Sequence, residues 1–272
     1  MKEIIVKGAG VAMVAVSAMF MLTGCATDSA CCCKKGCKMT NQDFYIGGTF
    51  DANGINHGGK FDSAKATKEY FAMMERFGYP VYPALKDASL TKPGLGFWAV
   101  DFMKGDFMKY GMAGVIWVDE IREEYFGHDI YLLPLQSIAE HSHVPGHVKT
   151  EDRWTGKVYE KDIPAKMESW LVRHGWVYSF SEVGEPNLDK PEFAEAKANL
   201  SALLTTPDPK TGKSLLKSLH VEKWTADGVA HKLPRECSWH FMMGGTEGAI
   251  VSEFANFHDG EKNRYTVPGV GF

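Results

Sequence analysis

The chain has 272 residues, 44% of them hydrophobic, and a formal net charge of -4. That is enough apolar material for one large or two small globular domains. The mild negative charge and the lack of a basic stripe argue against nucleic acid as a partner.

The N-terminal residues have the pattern of an export signal. A weakly basic start leads into the apolar stretch AGVAMVAVSAMFML, which is short for a membrane span and ends in LTGC at residues 22–25. This ending resembles the lipobox of bacterial lipoproteins, which implies a signal peptide over residues 1–24 and a lipid on Cys25. Ala26 follows instead of aspartate, which favours the outer membrane over the inner one, with the body in the periplasm or at the cell surface. The alternatives are an ordinary cleaved signal or an N-terminal membrane anchor.

Residues 25–43 are predicted to be a cysteine-rich tether between this lipid and the folded body. Five of the six cysteines lie within residues 25–37, and three of them are adjacent. Adjacent cysteines suit neither ordinary disulfide geometry nor a standard zinc spacing. A flexible tether is therefore favoured over a metal or redox role.

Residues 44–96 are predicted to form a segment of helix and loop that packs on the outside of the main body. The stretch from 61 to 79 has the spacing of an amphipathic helix, with Ala64, Thr67, Phe71 and Met74 on the predicted core face. A proline-punctuated loop follows it.

Residues 97–272 are predicted to be dominated by β-strands. Short runs rich in β-branched and aromatic residues alternate with Gly, Pro and Asp turns, and one helix is expected over 191–206. Such runs without long intervening helices favour a β-barrel or a β-sandwich.

Histidines and one glutamate form the most informative pattern. His141 and His143 are two residues apart, so their side chains leave the same face of an extended strand. Glu168 opens a later strand, and Gly175 follows after six intervening residues. This order resembles the first motif of the cupins, and Gly228, Pro234 and His240 resemble the second.

The resemblance implies an all-β-dominated fold, a cupin-like antiparallel β-barrel (double-stranded β-helix) with peripheral helices. It also implies one divalent transition metal ion held by His141, His143, Glu168 and His240. Three imidazoles and a carboxylate suit Mn, Fe, Co, Ni or Zn and leave coordination positions open for a substrate.

The chain departs from the cupin pattern at several places. Between the histidine pair and the glutamate, 24 residues intervene instead of a few. Leu135 stands where the family has a glycine, and Gly244 replaces an asparagine. His147 and His174 are competing candidates for the ion.

From about residue 110 to the C-terminus, the chain resembles the sugar-isomerising cupins that include the D-lyxose isomerases. These enzymes move a proton between neighbouring carbons of a metal-bound sugar through an enediol. The resemblance implies Glu253 as a catalytic acid/base group. The family's lysine before the histidine pair has His128 as its nearest equivalent, and a histidine can shuttle protons near neutral pH.

Two other functions remain open at this stage. The protein could be a non-catalytic, membrane-tethered cupin that binds a carbohydrate or a metal, or an Fe(II) cupin oxygenase. The expected partner is a small-molecule ligand, with a sugar as the candidate, and the oligomeric state is left open. A cavity with Glu253 and a second acid/base group near the ion would favour the isomerase.

Overall fold

The computed structural model describes residues 39–87, 96–152, 155–257 and 259–270. They belong to one compact unit that begins at Met39. The predicted signal peptide, Cys25 and most of the predicted tether lie outside the described residues. The end of that tether belongs to the folded body, because Asn41 is buried and its amide donates to the Asp106 carboxylate at 2.8 Å.

β-Strands make up most of the regular structure. Their bounds are β1 Tyr45–Ile46, β2 Thr49–Phe50, β3 Asn56–His57, β4 Lys60–Phe61, β5 Phe97–Asp101, β6 Gly111–Glu120, β7 Tyr125–Leu132, β8 His141–His143, β9 Gly146–Glu151, β10 Val158–Ile163, β11 Glu168–Ser181, β12 His220–Thr225, β13 Ala230–Lys232, β14 His240–Asn256 and β15 Asn263–Tyr265.

The main sheet has the strand order β12-β11-β14-β7-β6-β5, with β13 on β11 and with β8 between β14 and β15. All these strand pairings are antiparallel. The two longest strands, β11 and β14, pair with register shifts between Val172 and His174 and between Gly175 and Val177. Such irregularities bend and twist a strand pair, so the sheet curls. The predicted fold, a cupin-like double-stranded β-helix with peripheral helices, is confirmed.

Gly175 is the glycine of the first cupin-like motif, and its position in the bend explains why glycine stands there. Its φ is +68°, in the left-handed region, and a Cβ at this position would lie 2.2 Å from the Gly248 carbonyl oxygen. Any side chain would therefore meet the backbone of β14.

The helices are short and peripheral. The α-helices are α1 Ser63–Arg76, α2 Pro83–Lys86, α3 Ala194–Asn199 and α4 Ser201–Thr205, and 3-10 turns lie at Asn41–Asp43, Pro191–Phe193 and Gly260–Lys262. Within the described residues, no helix is both long enough and apolar enough to cross a membrane.

Helix α1 begins after Asp62, whose carboxylate caps the Lys65 N–H at 3.0 Å. The helix buries Ala66, Tyr70, Met73 and Met74. The predicted core face was therefore wrong at Ala64, which is exposed. The large side chains of Tyr70 and Met73 decide which face packs against the sheet, because they bury far more apolar area than alanine does.

Helix α1 packs on the outer face of the sheet. Tyr131 of β7 packs with the buried side chains of α1, whereas His128 and Ile130 of the same strand line a cavity on the opposite face. Alternation along the strand thus separates the helix-covered face from the face that carries the polar cluster described below.

The 24-residue interval before Glu168 contains a β-hairpin of β9 and β10. The two strands pair from Val158 opposite Glu151 to Ile163 opposite Gly146. An antiparallel hairpin ends beside the point at which it begins. The long insertion therefore returns the chain to the site without separating the residues on either side of it.

Candidate metal centre

The four predicted metal ligands converge. One ligand atom from each of His141, His143, Glu168 and His240 can be chosen so that all four lie within 4.8 Å of one another. His143 Nε2 is 3.1 Å from one carboxylate oxygen of Glu168, and His240 Nε2 is 2.8 Å from the other. Ligands of one ion lie at such separations because each bond is about 2.0 to 2.3 Å long.

Strand pairing and the curl of the sheet together explain this convergence. His141 and His143 are two residues apart on β8, so they share a face of the strand. His141 is the cross-strand partner of His240, the first residue of β14. Glu168 is the first residue of β11 and pairs with Ala255 at the far end of β14, so the curl of the long β11–β14 pair, and not the pairing itself, brings it back to His240. Three strand ends of the curled sheet therefore deliver the four side chains to one place.

Hydrogen bonds from Nδ1 set the tautomer of all three histidines. Nδ1 of His141 lies 2.8 Å from the Ala139 carbonyl oxygen, and Nδ1 of His240 lies 2.9 Å from that of Ser238. Nδ1 of His143 lies 2.6 Å from the Asn263 side-chain oxygen. Since a carbonyl oxygen only accepts, each ring donates from Nδ1 and carries its lone pair on Nε2, the atom that faces Glu168 or its neighbours.

The electrostatic environment shifts the pKa values of the three histidines in different directions. Burial, reinforced by the neighbouring His240 and His143, holds the pKa of His141 well below its usual range. Burial also lowers the pKa of His143. For His240, burial opposes protonation, but the Glu168 carboxylate outweighs it and raises the pKa. These pKa shifts favour neutral rings for His141 and His143, whereas His240 is the histidine of the cluster that is favoured to hold a proton.

Glu168 is ionised in this environment. Burial alone would raise its pKa, but the surrounding His143, Lys166 and His240 hold that pKa well below its usual range. Three imidazole Nε2 atoms and an ionised carboxylate fit a divalent ion of the Mn, Fe, Co, Ni or Zn type. These four residues would hold it.

A second polar cluster adjoins the first. Glu253 is buried, and its two carboxylate oxygens contact Lys166 Nζ at 2.5 Å and His128 Nε2 at 3.1 Å. The Trp170 indole donates to the same carboxylate at 3.1 Å. Both predicted acid/base residues, Glu253 and His128, therefore lie side by side, as cross-strand partners on β14 and β7.

The sequence analysis missed Lys166. Its ammonium bridges Glu168, at 2.7 Å, and Glu253. Burial would lower the pKa of Lys166, but the two carboxylates raise it, so the side chain is charged. Lys166 thus brings a lysine into this cavity from a segment other than the strand before the histidine pair. Its position two residues before Glu168 was the available signal, because alternate residues of an extended chain share a face.

Charge balance keeps Glu253 ionised as well. Burial and the nearby Glu168 would raise its pKa, but Lys166 and His128 outweigh them and lower it. A buried carboxylate that is ionised and lies within a cavity can accept a proton from a bound molecule.

The two competing histidines lie elsewhere. His147 is exposed on β9, where it pairs with Asp162 and Glu160 of β10. His174 packs against Phe77 and Tyr79. The register shift between Val172 and His174 changes the alternation along β11, so His174 does not share the face of Glu168.

Both clusters open into one cavity of about 330 Å³. Members of both clusters line it, namely His128, His141, His143, Lys166, Glu168 and Glu253. The rest of its wall is largely apolar, from Trp98, Phe102, Met112, Ile116, Phe126, Ile130 and Ile138. An apolar cavity with a few convergent polar groups is the usual form of a small-molecule site.

No protein-family model matches the chain. In sequence it is similar to the D-lyxose/D-mannose isomerase of Thermosediminibacter oceani, with 27% identity over 193 residues, 70% of this chain and 88% of that protein. It is also 27% identical over 170 residues to the D-lyxose ketol-isomerase of Cohnella laeviribosi, covering 62% of this chain and 75% of that protein. A solved L-ribose isomerase of Cellulomonas parahominis aligns with a TM-score of 0.47 and 10% identity, over 76% of this chain and 92% of the other.

The chain thus combines a cupin fold with sequence similarity to sugar isomerases. It also carries a cluster with the donor set of a divalent metal site.

Proposed function

We propose that the protein is a metal-dependent aldose–ketose isomerase that acts on a free sugar. One observation carries the proposal: the ionised Glu253 lines the same cavity as His141, His143 and Glu168 of the metal-ligand cluster, and Lys166 links it to Glu168. The sequence similarity to D-lyxose isomerases supports the same reaction class.

An ion held by the four ligands would polarise the sugar's carbonyl group. Glu253 then removes the proton from the carbon next to the carbonyl carbon and returns it to the carbonyl carbon. His128, which contacts Glu253, is placed to relay the proton that moves between the two sugar oxygens. Atoms and electrons balance, since an aldose and its ketose are isomers.

Lys166 has a positioning role in this scheme. Its charge keeps Glu253 ionised and fixes that carboxylate relative to Glu168. The largely apolar walls of the cavity lower the local dielectric, which strengthens these electrostatic contacts.

The test is a panel of aldoses, D-lyxose, D-mannose and L-ribose, incubated with protein loaded in turn with Mn²⁺, Fe²⁺, Co²⁺, Ni²⁺ or Zn²⁺. We expect conversion of at least one sugar to its ketose. Glu253→Gln should reduce conversion about 10²- to 10⁴-fold while the ion content stays unchanged. If fully loaded protein converts none of these sugars, the isomerase proposal fails and a non-catalytic binding cupin or an Fe(II) oxygenase takes its place.

We also propose that Cys25 carries a lipid that anchors the protein to a membrane, the outer one in preference to the inner. The support is the LTGC sequence alone. Mass spectrometry of the mature protein should find an acylated Cys25 at its N-terminus, and Cys25→Ala should leave unprocessed precursor. A mature chain that begins elsewhere, with Cys25 unmodified, would contradict the anchor.

A further inference from the structure

The last strand, β15, adds two polar side chains to the wall of the cavity. It pairs with β8 so that Asn263 lies opposite His143 and Tyr265 lies opposite His141. Both Asn263 and Tyr265 line the cavity. Cross-strand partners share a face of the sheet, so β15 extends the face on which the metal cluster is built.

His143 determines which way the Asn263 amide points. His143 Nε2 lies 3.1 Å from Glu168 within the ligand cluster, and a ligand nitrogen must present its lone pair. The ring proton of the neutral imidazole is then on Nδ1. Of the two Asn263 amide atoms, the oxygen is the one that can accept this proton, at a distance of 2.6 Å. The amide nitrogen of Asn263 is therefore the atom that faces Tyr265.

The amide in turn sets the direction of the Tyr265 hydroxyl. Asn263 Nδ2 lies 3.3 Å from the Tyr265 hydroxyl oxygen, and it can only donate. One lone pair of that oxygen is thus occupied, and the hydroxyl hydrogen must point away from Asn263. Among the described residues, the Tyr265 hydroxyl has no hydrogen-bond acceptor from the protein.

The ring of Tyr265 is held close to the proposed ion site. Its centroid is 6.0 Å from that of His141 and 6.4 Å from that of Phe102. A hydroxyl fixed by a rigid ring, half-buried and oriented by its neighbour, loses little entropy when it binds a ligand.

We infer that Tyr265 is a specificity-determining residue, which donates a hydrogen bond from the cavity wall to a sugar oxygen. Asn263 is a positioning residue: it accepts a hydrogen bond from the metal ligand His143 and thereby orients the Tyr265 hydroxyl. The inference rests on the proposed function. It extends that function, because a site whose oriented hydroxyl binds one ligand oxygen discriminates against an analogue that lacks this oxygen.

Two substitutions separate the two roles. Tyr265→Phe removes the donor and keeps the ring. Asn263→Asp keeps one oxygen to accept from His143, but its other oxygen now accepts the hydroxyl proton of Tyr265 and turns it away from the cavity. Tyr110→Phe is the control, because it also removes a tyrosine hydroxyl from the interior but Tyr110 does not line this cavity.

The measurements are ion content, the KM and kcat for D-lyxose, and calorimetric binding of D-arabinitol, the corresponding alditol, which cannot isomerise. We expect Tyr265→Phe and Asn263→Asp each to weaken D-arabinitol binding about 3- to 10-fold with the ion retained, as for the loss of one hydrogen bond. The double variant should be no worse than Tyr265→Phe alone, and Tyr110→Phe should bind as the wild type does.

The inference is overturned if Tyr265→Phe binds D-arabinitol as tightly as the wild type, or if the effects of the two substitutions add. If the wild type converts D-lyxose while Tyr265→Phe is unchanged, only this inference fails. If the ion-loaded wild type neither converts nor binds any of these sugars, the proposed function fails, and this inference fails with it.

Discussion

The ammonium nitrogen of Lys166 lies 2.7 Å from a carboxylate oxygen of Glu168, the residue two positions further along the chain. Both side chains are buried, and the same nitrogen contacts the buried Glu253. A buried charge is stable only when it is paired, so this lysine offsets the repulsion between two carboxylates. An ion bound to Glu168 would bring further positive charge to the same group.

Lys166→Met is therefore expected to destabilise the ion-free protein by about 3 to 5 kcal/mol, because it leaves two buried carboxylates without their shared partner. Loading with Mn²⁺ should recover a large part of this loss. Urea unfolding with and without Mn²⁺ measures both quantities. Lys149→Met, which breaks an exposed pair with Glu160, is the control and should cost less than about 1 kcal/mol. Equal losses with and without Mn²⁺ would contradict the electrostatic link between Lys166 and the ion site.

Removal of one imidazole ligand should empty the metal site. We expect His141→Ala and His240→Ala each to weaken Mn²⁺ or Zn²⁺ binding more than about 10-fold, because loss of a direct ligand costs more affinity than loss of a residue that only hydrogen-bonds to a ligand. Elemental analysis after dialysis provides the measurement. Ser142→Ala, whose hydroxyl bonds to the Cys237 carbonyl on the other side of the strand, and His147→Ala on the exposed hairpin should both keep the ion. Ion loss in either control, or its retention in His240→Ala, would refute the assigned ligand set.

Gly175→Ala should destabilise the fold through a steric clash in addition to backbone strain. The new Cβ would lie 2.2 Å from the Gly248 carbonyl oxygen at a φ of +68°. Gly228→Ala has a similar φ of +83°, but no atom lies within 4 Å of its Cβ, so it carries the strain alone. We expect a loss of about 1 to 2 kcal/mol for Gly228→Ala and at least about 2 kcal/mol more for Gly175→Ala in urea unfolding. Similar losses would show that the contact with β14 relaxes without cost.

Leu135 has a backbone conformation that glycine adopts more easily. Its φ is +57°, in the left-handed region, and the cupin pattern has glycine at this position. Leu135→Gly should therefore be more stable than Leu135→Ala by about 1 kcal/mol, because alanine loses the half-buried leucine side chain but keeps the left-handed strain. Thermal unfolding of the two variants tests this order. A more stable alanine variant would mean that the strain at this position is negligible.

The sequence by itself determined the metal-ligand candidates and the fold class. His141 and His143 share a face because alternation along a strand is a local property, and Glu168 and Gly175 keep their spacing within one strand. Short strands separated by turn residues were sufficient to predict an antiparallel β fold. These features depend on residues that are close together in the chain, and they can therefore be predicted from the sequence.

Only the tertiary structure decided what surrounds that cluster. The hairpin of β9 and β10 brings Glu168 back beside His143 across the long insertion, and the register shift after Val172 turns His174 away. Lys166 meets Glu253, and Asn263 meets His143, across more than 80 residues of chain. Such contacts depend on strand register and on the curl of the sheet. Both follow from the packing of the whole body and not from any local pattern.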